Sequence, residues 1–280
     1  MFIEMLSKSE IRDILQENND LIKYIGMTGH DGLLKKVMEK KFNEITGFCE
    51  NILKVVKKLN QNKEIVFLEC SCGKSYLSFV LNYILSVKLG VKAFFIGVDT
   101  NGDLIQKCEE TRSILGFSNM VFQQARTIDF EADRTVDVVL ALHACDTATD
   151  EAIAQGIKVD AKHIMVVPCC QGQVRSQIKK QHILSGITQF GLLRYKFANI
   201  LTDALRSQFL SGSGYFVELF EIVSPKLSPK NILISARKIK NKNKRNLEEY
   251  YELSNMFNTR FGLHDLLLES RINDSLVNTS

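Results

Sequence analysis

The sequence predicts an α/β fold: a doubly wound, mostly parallel, seven-stranded sheet that ends in an antiparallel hairpin. Three observations carry this. From about residue 64, apolar β-branched runs alternate with helical patterns. Such alternation implies parallel strands joined by right-handed crossovers. The run Ile65-Val66-Phe67-Leu68-Glu69 enters a small-residue turn, Cys70-Ser71-Cys72-Gly73-Lys74-Ser75, and the next strand ends in Asp99. Near the end, two strand patterns are joined only by Ser224–Lys230, too short for a parallel crossover.

Residues 1–60 read as a helical cap, with Leu33, Leu34, Val37, Phe42, Ile45, Phe48, Ile52 and Val56 at helical spacing. Lysines 35, 36, 40, 41, 54, 57 and 58 fill the opposite positions, as a solvated face or a basic lid. The sheet domain is expected over 61–240. Its first strand, Ile65–Glu69, is followed by a helix over Ser75–Leu89; the second, Ala93–Asp99, by a helix over Asp103–Leu115. Met120–Gln124 and Val136–Leu142 are the third and fourth strands, with a helix starting near Thr147. His163–Val167 is the fifth, stopped by Pro168. A helical stretch over Gln173–Leu210 precedes the hairpin strands Tyr215–Ile222 and Ile232–Arg237. The remainder, 241–280, reads as a basic linker and helical tail, with helix over Asn246–Glu269 and a disordered end.

With 45% hydrophobic and 24% charged residues the composition is that of a soluble globular chain, and no apolar run reaches the ~18 residues of a membrane span. The apolar start Met1-Phe2-Ile3 meets Glu4 too early for a signal peptide. Seven cysteines, several in buried patterns, read as reduced thiols in a cytoplasm rather than as a disulfide framework. The net charge of +4 is compatible with a nucleic-acid partner and does not demand one.

A strand, a tight turn of small residues, a helix and a strand ending in a carboxylate form a nucleoside grip. The turn lets the backbone approach the ligand, and the acid takes two ribose hydroxyls. Ser71, Gly73 and Ser75 hold the three positions where glycines are usual, so their dihedrals are expected to be ones a side chain tolerates. Glu69, Cys70, Cys72, Tyr76 and Leu77 flank the turn. Asp99, with Thr100 and Asn101, is expected at the sugar, with a helix cap as the lesser alternative for Asp99; Gln124, Ala125 and Arg126 are expected beside the base. Gly73-Lys74-Ser75 imitates a P-loop end, but Leu68 stands where its first glycine belongs. A turn this poor in glycine also offers no pyrophosphate cradle, which argues against a dinucleotide.

Ligands of open parallel sheets lie beyond the carboxyl ends of the strands. The fourth strand ends in Ala141-Leu142-His143-Ala144-Cys145-Asp146 and the fifth in Pro168-Cys169-Cys170-Gln171, so His143 and Asp146 are candidate bases beside the reacting group. A metal on His143, Cys145, Cys169 and Cys170 would match no standard zinc spacing, and adjacent cysteines seldom share an ion well, so no metal ligand is expected. A nucleophilic cysteine lacks an evident base, and burial is the commonest fate of such thiols.

The segments Glu69–Leu77, Ala141–Asp150, Val167–Gln171 and Ser228–Ile234, with the helix bearing Lys40–Ile45, together resemble one methyltransferase domain family. It is similar to the tRNA acceptor-stem 2′-O-methyltransferases and to methyltransferase-like proteins of eukaryotes. The resemblance implies a class I, Rossmann-like fold and transfer of a methyl group from S-adenosylmethionine (SAM). The basic lysines of the first helix and the tail favour RNA as the acceptor; a small molecule, a protein side chain or a non-catalytic SAM-binding adaptor are the alternatives. Gln171 stands where the tRNA enzymes carry histidine after paired cysteines. Arg194, Lys196, Arg206 and the lysines of 238–245 are candidate phosphate contacts.

Overall fold

The computed structural model describes residues 6–29, 31–178, 184–239, 244–259, 262–263 and 265–266. Its seven strands are β1 (Ile65–Cys70), β2 (Ala93–Asp99), β3 (Met120–Gln124), β4 (Val138–Leu142), β5 (His163–Val167), β6 (Tyr215–Glu221) and β7 (Ile232–Lys238). They form one sheet in the order β3-β2-β1-β4-β5-β7-β6. The first five strands are parallel, whereas β7 runs antiparallel to both β5 and β6. The order reverses at β1 and β4, so the crevice above those two strand ends is the topological switch point.

Alternation along the strands builds two cores. Ile65, Phe67, Phe95, Leu140 and Met165 face one side and Val66, Leu68, Ile96, Val139 and Ile164 the other. The first side is covered by α1 (Lys8–Glu17), α2 (Asn19–Tyr24), α3 (Glu39–Val56), α4 (Tyr76–Asn82) and α5 (Gly102–Leu115). The second carries α6 (Thr147–Lys158), α7 (Gly172–Gln177), α9 (Gly191–Gly212) and α10 (Lys244–Met256), with a single short turn, α8 (Ser185–Thr188), leading into α9. Ile11, Leu15 and Leu21 join the same cluster as the strand residues, so the N-terminal helices share the core of the sheet. On the opposite side Tyr250 of α10 meets the Phe209 ring at 5.2 Å.

Several elements differ from expectation for local reasons. The N-terminal helix breaks over 25–35, where Gly26 and Gly32 take φ of +80° and +76° and Thr28 bridges Leu34. The helix expected to run to Leu89 changes to a π turn over Tyr83–Lys88. Among the described residues the helical stretch from Gln173 is divided into α7, α8 and α9, and α10, within the expected helical tail but starting at Lys244, is docked on α9. The expected disordered end lies outside the described residues. Among the described residues no helix is long and apolar enough to cross a membrane.

Candidate active site

Three residues of the turn after β1 have left-handed backbone: Ser71 at φ +50°, Gly73 at +55° and Ser75 at +49°. The turn thus keeps a glycine-type conformation although serine holds two of its places, against the expectation of ordinary dihedrals there. For Ser75 a compensation is visible. Its hydroxyl donates to Glu69 Oε2 at 2.5 Å, and Ser78 Oγ donates to the same oxygen at 2.6 Å. Burial pushes the Glu69 carboxyl above the usual carboxylate range, and the two hydroxyls draw it part of the way back. Glu69 therefore braces the turn from beneath.

Asp99, half-buried at the end of β2, accepts from Gly73 N at 2.8 Å through Oδ2 and from Asn101 N at 2.9 Å through Oδ1. It ties the first strand end to the second and also holds Asn101, the residue that caps α5. Each carboxylate oxygen keeps an acceptor direction for a further donor. A Cβ built on Gly73 would meet no atom within 4 Å, so open space lies above this backbone. Gln124 Nε2 donates to Thr100 O at 3.1 Å, which closes the third strand end onto the second. Open space over a strained turn, beside a carboxylate with acceptor directions to spare, fits a nucleoside bearing ribose hydroxyls.

At the end of β4, His143 also has a positive φ, +61°, and its Nε2 lies 2.8 Å from Glu44 Oε2 on α3. Burial opposes the charged form of Glu44, but the hydrogen bonds from His143 and Ser228 together with the charges of His143 and Lys40 outweigh it and hold the carboxyl below the usual range. A carboxylate at Nε2 fixes the proton there and leaves Nδ1 as the acceptor nitrogen. Nδ1 is buried with no hydrogen-bond partner among the described residues.

Asp146 (φ +50°, ψ −111°) does not cap α6; its Oδ2 accepts from Gln173 N at 3.0 Å and pins the β5–α7 loop to the β4 loop. Its carbonyl accepts from Arg206 Nη2 at 3.0 Å. Arg206 is wholly buried and also donates to Asp150 at 2.7 Å and to Asp203 at 3.3 Å. Burial pushes the Asp150 carboxyl up to about 6, against the pull of the Arg206 charge. Between the two loops the sulphurs of Cys145, Cys169 and Cys170 converge, at separations of 3.5, 3.6 and 3.8 Å. Beyond them Lys230 Nζ donates to Gln171 Oε1 and sits 4.9 Å from the centre of the Tyr195 ring, with the Arg175 guanidinium 5.7 Å from that centre.

Residues 40–177 match a family model described as a methyltransferase domain. The match covers just under half of the chain and spans α3, the turn after β1 and both thiol-bearing loops. No curated protein matches significantly. Among solved structures the chain resembles magnesium protoporphyrin IX methyltransferase of Synechocystis with bound SAM (15% identity, TM-score 0.43, 83% of this chain and 98% of that one). It also resembles an rRNA methylase of Streptococcus thermophilus (11%, 0.40, 74% and 99%) and the CurJ carbon methyltransferase (13%, 0.46, 83% and 71%).

The expected site residues divide into three groups. Gly73, Asp99 and Asn101 are joined by hydrogen bonds, as are Thr100 and Gln124, at the carboxyl ends of β1, β2 and β3, while Leu142 ends β4 and His143 follows it. Cys70 and Leu77 are each 1% exposed and Ala141 is likewise core, so their side chains pack into the two cores. Cys72 is 8% exposed, and the 8% exposed Tyr76 packs beneath the Lys41 ammonium at 4.6 Å. Ala125 N donates to Asp99 O, and Arg126 Nε is turned to Glu151 at 2.9 Å. Arg206 cannot contact a phosphate, because it is buried among carboxylates. Sequence reasoning missed Glu44. Its one signal is a carboxylate in register with Phe48 and Ile52 on the buried stripe of α3, where an unpartnered charge is costly.

Proposed function

We propose that this protein methylates RNA, with SAM held over the turn after β1 and the acceptor entering between β4, β5 and α9. In this reading Ser71 and Gly73 line the nucleoside, and Asp99 receives the ribose hydroxyls. SAM supplies a methyl group already activated on its sulfonium, so the protein's task is chiefly alignment, which can be worth ~7–11 kcal/mol of barrier. For a hydroxyl acceptor His143 is the base: Glu44 orients the ring, and Nδ1 takes the proton. Asp146 positions the loop instead of moving a proton, since its carboxylate is already committed to Gln173.

The observation that carries the RNA reading is Tyr195, a partly exposed ring on α9 flanked by the cations of Arg175 and Lys230. An aromatic face between two cations stacks a base and holds its phosphate. Lys230 also reaches Gln171, directly after the paired cysteines, which puts this platform at the rim of the β5 end. The test is incubation with labelled SAM and cell extract depleted separately of RNA, protein and metabolites. The label is expected in RNA, and Tyr195→Ala with Lys230→Gln is expected to raise KM with little change in kcat. Label confined to protein or metabolites removes RNA as the acceptor.

A further inference from the structure

The geometry points to a zinc site formed by Cys145, Cys169 and Cys170, an ion-binding centre beside the β4 and β5 strand ends and independent of the identity of the acceptor. Three sulphurs from two loops stand at the corners of a nearly equilateral triangle with edges of 3.5, 3.6 and 3.8 Å. Four thiolates around Zn2+ at about 2.3 Å are separated by ~3.8 Å along each tetrahedral edge, so one face of such a tetrahedron already exists. Sequence spacing argued against a metal because Cys169 and Cys170 are adjacent, yet their sulphurs turn to the same point, 3.6 Å apart.

Core packing does not account for the cluster: Cys145 and Cys170 are exposed and Cys169 is half-buried, and all three are free thiols. The loops are held for the meeting. His143 N donates to Val167 O at 3.0 Å, Asp146 accepts from Gln173 N, and Cys169 Sγ lies 3.6 Å from His143 O. His143 and Asp146, which bracket Cys145, both keep strained positive-φ backbone, as expected where the surroundings over-determine a functional loop. An all-sulphur set selects a thiophilic d10 ion over Mg2+ or Ca2+. Three ligands on an exposed face leave the fourth position of Zn2+ to solvent, the arrangement of a reactive rather than a closed structural centre.

The experiment is titration of the reduced full-length chain with Co2+ and then Zn2+. Intense visible d–d bands and thiolate-to-metal charge transfer are expected at stoichiometric Co2+, displaced by Zn2+, with metal protecting Cys145 and Cys170 from alkylation. Replacing all three cysteines by serine is expected to weaken Zn2+ binding by more than ~100-fold, beyond the 10–100-fold typical of losing an outer partner. Reduced wild-type protein that gives no thiolate–cobalt bands overturns the site, whether or not the triple variant folds. So does a triple variant that binds Zn2+ as the wild type does, or a disulfide among the three as the state of the native protein.

Discussion

At the scale of single residues, much of the chemistry rests on pairs that are far apart in sequence. Glu44 and His143 lie 99 residues apart and meet at 2.8 Å. If His143 is the base, His143→Asn should lower kcat by ~10²–10⁴-fold while calorimetric SAM affinity is unchanged. Glu44→Gln should cost less and shift the pH–rate profile, because a neutral amide still accepts the Nε2 proton but no longer favours the imidazolium. A fall in SAM affinity equal to the fall in rate would instead make the pair structural. Asp99 was legible because an acid closing the apolar run Phe94–Val98 needs partners. Glu44 and Arg206 were not: their partners come from other elements, and although helical register puts Glu44 on the buried stripe of α3, nothing in the local pattern names the partner.

At the scale of elements, strand alternation and the short β6–β7 connection made the sheet readable, since those patterns report which face of a strand is buried. The helical stretch after β5 was less so, because its apolar positions do not mark where one described helix ends and the next begins. Close approach left little trace either. Gly47, buried within α3, packs so tightly on the chain after β6 that a Cβ would stand 2.1 Å from Ile222 O. Gly47→Ala should therefore destabilise the fold by about 1–3 kcal/mol despite alanine's better helix propensity, measured by denaturant midpoint. A gain in stability would show that α3 is free to move off the sheet. Because α3 also delivers Glu44, the same substitution should lower kcat in parallel.

For the whole molecule, pH reports on how the sheet is buried. His163 opens β5 and is 5% exposed. Burial lowers its pKa from 6.5 to about 4, with Arg237, Lys58 and Lys162 adding to the shift. The folded protein thus holds this ring neutral while the unfolded chain takes up a proton. The sign follows: stability is intact above pH 6.5 and is lost as pH falls towards about 4. Allowing for partial solvation, the wild type should lose about 2 kcal/mol more than His163→Val over that window, measured by urea unfolding at each pH; parallel curves would contradict it. The claim on which the functional account turns is that the turn after β1 and Asp99 together hold SAM. The most direct measurement is calorimetric titration of SAM into the wild type and into Asp99→Ala, with the fold of each checked by circular dichroism. The account predicts saturable binding to the wild type and at least ~10-fold weaker binding to a folded variant, since hydrogen bonds to a charged group are worth ~1.5–3 kcal/mol. Equal affinity for the two proteins, or no binding to the wild type, would contradict it.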